Sequence, residues 1–163
     1  MIIDKYNLSD IRAEADAAEA CIALRFGCYD YELHPDHQKS IDFAAEQADV
    51  VVIGVMPDSY VTRVKGPERP IYPQRQRAEN VDALKGVTYS VVVPESRLAL
   101  LGVIRELQPD AYVEGAEYGS SLAKRTLLSI LGVEYVIDER EREYSTTQQL
   151  ANASSNLTFN QAT

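Results

Sequence analysis

The sequence predicts an α/β fold, a five-stranded parallel sheet held between two layers of helices. Three observations point to it. Short apolar runs alternate with longer segments of helical periodicity along most of the chain. The run over 49–56, DVVVIGVM, is rich in β-branched residues and lacks polar alternation, so both of its faces are covered. A helical segment separates each strand from the next, as the crossovers of a parallel sheet require. With 163 residues, 45% hydrophobic and 25% charged, the chain can form one domain with a sizeable core.

Ser9 is a candidate N-cap, and the Ala- and Glu-rich stretch 10–20 is the first helix. The mostly apolar ACIALRF over 20–26 is a short strand that stops at Gly27. Pro35 suits the first turn of a helix over 35–47, whose apolar side is Ile41, Phe43, Ala44 and Ala45. The buried strand 49–56 follows. Residues 57–73 read as a polar loop, punctuated by Gly66-Pro67 and Pro70. A helix over 73–84 ends near Gly86, and 89–93 is the third strand. Helix 96–107, strand 111–113, helix 120–131 closed by Gly132, and strand 133–137 complete the alternation. The domain is expected to span 1–150. The polar ANASSNLTFNQAT over 151–163 is expected to be a mobile tail.

Composition sets aside several classes of function. No apolar run reaches the roughly 20 residues of a membrane-spanning helix. Met1-Ile2-Ile3-Asp4-Lys5 lacks the basic start and apolar stretch of a signal peptide. Cys21 and Cys28 offer neither a disulfide framework nor zinc spacing, which points to a reducing cytoplasm. A net charge of −9 disfavours nucleic acid, which needs clustered Lys and Arg. Positive charge is local instead: Arg63, Lys65, Arg69, Arg75 and Arg77 fall within fifteen residues, opposed only by Glu68. A basic patch on an acidic chain suits a small anionic ligand.

The chain has two histidines, His34 and His37, three apart in GCYDYELHPDH between a strand end and a helix start. Free N–H groups at such a corner bind phosphate. A histidine there donates hydrogen bonds and can carry charge. The pair is read as a nucleoside triphosphate site, against the plainer reading of a capping or surface pair. Zinc binding through His-x-x-His lacks a third ligand.

Further motifs follow in order: Asp58-Ser59 with Arg63-Val64-Lys65-Gly66, then Pro67-Glu68-Arg69-Pro70-Ile71-Tyr72-Pro73 with Arg77, Gly115-Ala116-Glu117-Tyr118, and Tyr144-Ser145-Thr146-Thr147. Over roughly residues 8 to 150 this set resembles the cytidylyltransferase-like nucleotidyltransferases, and within them the adenylyltransferase domain of ADP-heptose synthases. The resemblance implies a Rossmann-like sheet of the HUP nucleotidyltransferase type and a Mg²⁺-assisted reaction. A sugar or alcohol phosphate attacks the α-phosphorus of a nucleoside triphosphate, and pyrophosphate leaves. ATP is favoured as donor. A CTP-dependent glycerol- or choline-phosphate cytidylyltransferase is the alternative. A homodimer is also implied.

The resemblance gives residues their roles. His37 stabilises the α-phosphate with His34 assisting, and Lys65 completes the catalytic set. Phe26, Gly27, Cys28 and Tyr29 cradle the nucleotide, Cys28 by packing rather than as a nucleophile. Arg77 grips phosphate. Gly115, Glu117 and Tyr118 meet adenine or ribose. Ser145, Thr146 and Thr147 open a last helix that binds phosphate, with Arg140 or Arg142 just before it as a nucleotide contact, against the plainer reading of 138–143 as a solvated charged stretch. Asp58, Arg63 and Arg69 serve the acceptor.

Three positions depart from the family pattern. Asp36 stands where a glycine separates the histidines. A carboxylate about 4 Å from a phosphate would repel it by on the order of 4 kcal/mol at an effective dielectric near 20. Glu32 is an extra residue in the corner, and Glu114 replaces a lysine before the Gly-Ala-Glu-Tyr segment. Two readings follow. Either the site is active, with Asp36 or Glu32 holding Mg²⁺ or pointing away, or the chain is a degenerate nucleotide-binding regulatory or scaffold protein.

Overall fold

The structure, a computed structural model, describes residues 8–31, 33–96, 98–118 and 121–140. Its elements run α1 (Leu8–Ala17), β1 (Ile22–Gly27), α2 (Pro35–Gln47), β2 (Val50–Val55), α3 (Asp58–Lys65), α4 (Gln74–Asp82), β3 (Tyr89–Val92), α5 (Ala99–Leu107), β4 (Ala111–Gly115), a 3-10 turn (Ala116–Tyr118), α6 (Leu122–Ile130) and β5 (Glu134–Asp138). The five strands form one sheet in the order β3-β2-β1-β4-β5, every pair parallel. This is the Rossmann-like architecture expected.

Residue alternation along each strand sorts the core into two layers. Ile22, Leu24 and Val52 face α1, α5 and α6, meeting Ile11, Ala15, Val103, Leu107 and Leu128. Ala23, Val51, Ile53 and Val55 face α2 and α4, meeting Ile41, Ala44, Ala78 and Val81. Fully burying one such aliphatic side chain stabilises by about 1.5–3 kcal/mol. The lack of alternation in β2 is thereby explained: adjacent residues serve opposite layers.

Asp110 anchors the far end of the sheet. Its Oδ2 accepts from the Ile22 N–H at 2.7 Å and from Arg12 Nη1 at 2.9 Å. Burial opposes the charge, but these bonds outweigh it and hold the carboxyl below its ordinary range.

Three local expectations are corrected. Ser9 is not an N-cap, because it lies inside α1. The segment read as a loop over 57–73 contains α3, with Asp58 in its first turn, Arg63 and Lys65 in its last, and Gly66 at φ 100° as its stop. Helix α6 is capped by Ser121, whose Oγ accepts from the Lys124 N–H at 3.1 Å. The expected tail over 151–163 lies outside the described residues. Among those described, no helix is long and apolar enough to cross a membrane.

Candidate functional site

The sheet opens where its strand order reverses. β1 and β2 stay paired from Ile22↔Val50 to Gly27↔Val55, whereas β1 and β4 pair only at Ala23↔Ala111 and Leu24↔Tyr112. Beyond Leu24 the two central strands are no longer paired, the crevice in which such folds take ligands. A cavity of about 380 Å³ lies there, between Arg25, Phe26, Gly27 and Cys28 on one side and Tyr112, Glu114, Gly115 and Tyr118 on the other, with Tyr60, Val64 and Lys65 from α3. A recess of about 80 Å³ shares Arg25, Phe26, Gly27, Cys28, Lys65 and Tyr118, and adds Tyr29, His37 and Ser40. Gly27 is needed because a Cβ there would stand 2.5 Å from Tyr29 Cε2. A third cavity of about 400 Å³ adjoins, sharing Met56, Tyr60 and Leu100 and adding Ser59, Arg63, Glu95 and Ser96.

The histidines open α2. His34 is the N-cap and His37 the third helical residue, whose side chain reaches back to the N-cap backbone as in a capping box. The His34 N–H donates to His37 Nδ1 at 3.3 Å. That bond leaves the ring proton on Nε2. The two rings stack with centroids 3.8 Å apart, and Tyr29 packs against His37 at 5.2 Å. His37 lines the recess, whereas His34 lines none of the three cavities.

The basic patch of the sequence is dispersed by the fold. Lys65 lines the crevice and the recess, and Arg63 lines the adjoining cavity beside the Tyr60 ring. Arg75 stays on the surface with Glu79 at 3.4 Å. Arg69 is buried against Asp30, whose other oxygen accepts from the Ile71 N–H at 2.8 Å. Arg77 is fully enclosed. It donates to the carbonyls of Tyr72 (2.9 Å), Cys28 and Met56 (2.8 Å), and to Asp58 Oδ1 (2.7 Å). Four of the five N–H groups of a guanidinium are so used. Arg77 therefore clamps the ends of β1 and β2, its N–H groups occupied by protein acceptors, and Asp58 Oδ1 joins that clamp while its side chain stays 40% exposed. Arg69 likewise serves the loop. Glu117 is exposed and lines none of the three cavities. Arg140 pairs with Asp138 at 2.8 Å and donates to the Lys39 carbonyl at 2.5 Å, so it ties β5 to α2. Ser145, Thr146, Thr147, Arg142 and Glu32 lie outside the described residues.

Both described departures from the family pattern are compensated. Asp36 is buried, lines none of the three cavities, and lies 3.2 Å from Lys39 Nζ. It points away and is not placed to hold Mg²⁺ in the crevice. Glu114 lines the crevice, but Lys124 Nζ from α6 donates to both of its oxygens at 2.8 and 2.6 Å. Tyr112 and Tyr135 donate to it as well, at 3.2 and 2.5 Å. Burial and the adjacent Glu114 carboxylate push both phenols up, Tyr135 to about 12. They stay protonated donors at neutral pH. Among the described residues no three potential ligands gather for a metal. Magnesium commonly binds through substrate phosphates.

Arg25, Glu95, Ser96 and Lys124 belong to none of the sequence motifs, and Ser59 enters them only beside Asp58. Arg25 and Lys124 carry the plain signals of a charge in an apolar strand and a lysine on the helix after Glu114.

Cys28 lines both the crevice and the recess. Burial pushes its thiol up, outweighing the lowering by Lys65 and Arg77. It is a thiol, not a thiolate, at neutral pH. Iodoacetamide is accordingly expected to label the exposed Cys21 well before Cys28, as read by peptide mass spectrometry. Cys28→Ser is expected to retain turnover within about threefold, whereas removal of a nucleophile would abolish it.

The cytidylyltransferase-like family model matches residues 24–158. The bifunctional protein HldE of Nitrobacter hamburgensis is 35% identical over 133 residues, covering 81% of this chain and 27% of that protein. HldE of Nitratiruptor sp. is 39% identical over 113 residues, 66% of this chain and 24% of its own length. The chain thus spans about a quarter of the curated relatives it matches. Among solved structures, the lipopolysaccharide core biosynthesis protein of Thermoplasma volcanium superposes with a TM-score of 0.65 at 20% identity, covering 76% of this chain and 99% of that one. A pantoate-beta-alanine ligase from Francisella tularensis superposes with a TM-score of 0.61 at 15% identity, covering 88% of this chain and 68% of that one. These two structures share the fold.

Proposed function

Because this chain belongs to the cytidylyltransferase-like family, we infer that it is a nucleotidyltransferase, moving AMP from ATP to the phosphate of a sugar phosphate with release of pyrophosphate. The observation that carries the reading is the pair of adjoining cavities at the carboxyl edge of the sheet. One holds Lys65 and leads into the recess of His37; the other holds Arg63, Ser59, Glu95 and Ser96. The first has the donors for a nucleotide and its phosphates. The second has one cation for the acceptor phosphate and a carboxylate and hydroxyls for a polyol.

The chemistry needs little from the protein beyond placement and charge. An ionised oxygen of the acceptor phosphate attacks the α-phosphorus, the bond from that phosphorus to the bridging oxygen breaks, and pyrophosphate departs with the electron pair. The attacking oxygen carries no proton at neutral pH, so no general base is required. His37 Nε2–H and Lys65 stabilise charge on the phosphoryl oxygens. Magnesium enters on the triphosphate as part of the substrate. Asp36 turned onto Lys39, and Glu114 neutralised by Lys124, remove the electrostatic objections to an active site. The reading includes a cytoplasmic location and a homodimer.

Pyrophosphate release is the test, with ATP or CTP, Mg²⁺ and a panel of sugar 1-phosphates beside glycerol phosphate and choline phosphate. Release with ATP and a sugar phosphate is expected. Release with CTP and an alcohol phosphate alone would favour the cytidylyl alternative. Silence with every pair, together with no ATP-dependent thermal shift, would leave the chain a non-catalytic relative.

A further inference from the structure

We propose that Arg25 is a phosphate-binding residue of this chain, presenting its guanidinium to a polyphosphate oxygen where the crevice meets the recess beside α2. The inference rests on the nucleotidyltransferase reading and adds to it a residue that none of the motifs contains.

Arg25 follows Leu24, the last β1 residue in register with β4, so it stands where the central strands cease to pair. It is only 4% exposed, and its Nη1 is enclosed with no hydrogen-bond partner among the described residues. Yet it lines both the crevice and the recess. Other deep charges near the crevice have partners: Arg77 has three carbonyls and Asp58, Arg69 has Asp30, Asp36 has Lys39, and Glu114 has Lys124.

A buried guanidinium without an anion is costly to fold around. Such a cost persists where a ligand supplies the missing partner. The cavity linings say which kind. Arg25 and Lys65 contribute two cations and His37 an N–H donor. The one carboxylate among the lining residues is Glu114, already taken by Lys124. The excess is positive, and a planar fork of N–H donors matches phosphate oxygens in pairs.

The test uses the full chain and three probes: inorganic tripolyphosphate, adenosine and ATP, titrated calorimetrically against wild type, Arg25→Met and Arg25→Lys. Melting is recorded with and without each probe. Without ligand, Arg25→Met is expected to melt above wild type, because a buried charge whose Nη1 has no partner among the described residues has gone. It is expected to bind tripolyphosphate and ATP at least about tenfold more weakly, and adenosine within about twofold of wild type. Arg25→Lys is expected to recover part of the tripolyphosphate affinity. Unchanged tripolyphosphate affinity in Arg25→Met would overturn the proposal. So would a loss confined to adenosine, which would make Arg25 a base contact, and so would a lowered melting point with all affinities retained. Should Arg25-dependent tripolyphosphate binding appear without nucleotide transfer to any acceptor, the enzymatic reading fails while the phosphate assignment stands.

Discussion

Arg77→Met is expected to leave the protein at or below the edge of folding. The arginine is fully enclosed, and its N–H groups bind the carbonyls of Tyr72, Cys28 and Met56 and the carboxylate of Asp58. Methionine fills much of the same volume but donates nothing. The buried Met56 carbonyl and the part-buried carbonyls of Tyr72 and Cys28 lose their partner, each at up to about 1–3 kcal/mol. The sum, at most about 9 kcal/mol, compares with a whole-domain stability of about 5–15 kcal/mol. Arg77→Lys keeps the charge on a flexible stem with a single donor head, and should satisfy the Met56 and Asp58 side while leaving Tyr72 and Cys28 unmet. Urea denaturation checks both, with wild type most stable, lysine intermediate and methionine least. A methionine variant within about 1 kcal/mol of wild type would remove Arg77 from the clamp and return it to the phosphate role. Because Cys28 and Met56 both border the crevice, the lysine variant should also bind ATP less well than its stability alone explains.

Arg77 shows where sequence reading stops. Its position in a basic run is visible from the residue types, and so is the inference that the run serves an anion. Whether three backbone carbonyls from separate segments claim the guanidinium depends on tertiary approach, which leaves no local trace. Arg69 is absorbed by Asp30 in the same way. The sheet was legible for the opposite reason. Strands buried on both faces need unbroken apolar runs, and the β-branched stretch of β2 declares itself without knowledge of its neighbours. Helix α3 was hidden because Val61 is its only buried residue, so the period of a buried face had nothing to repeat. Its remaining signals, acid at the start, base at the end and Gly66 as stop, were outweighed by the prolines around it. Glu114 looked like a defect for a similar reason: its partner Lys124 comes ten residues later, on another element. Arg25 lies inside a strand, where a charge reads as a break in pattern rather than as a reach toward a ligand.

His37→Asn is expected to lower kcat by about a hundred- to a thousandfold while the fold survives, the range typical of losing one preorganised donor. His37 Nδ1 accepts the His34 N–H at 3.3 Å, so the proton sits on Nε2. Stacking on His34 and packing against Tyr29 hold the ring in place, and the ring lines the recess next to Lys65. The two nitrogens thus have separate duties, and two substitutions separate them. Asparagine carries its Oδ1 close to the position of Nδ1 and can keep the cap, but nothing in it reaches the position of Nε2. Glutamine carries an amide N–H group to that position and gives up the Nδ1 acceptor. Asparagine should therefore melt near wild type and turn over poorly, with KM for ATP little changed, since a donor that acts on growing charge is felt mainly in the transition state. Glutamine should melt lower and retain more of kcat. Two outcomes contradict the assignment: an asparagine variant with kcat within about threefold of wild type, or activities that track melting temperature across both variants, as a purely capping histidine would give.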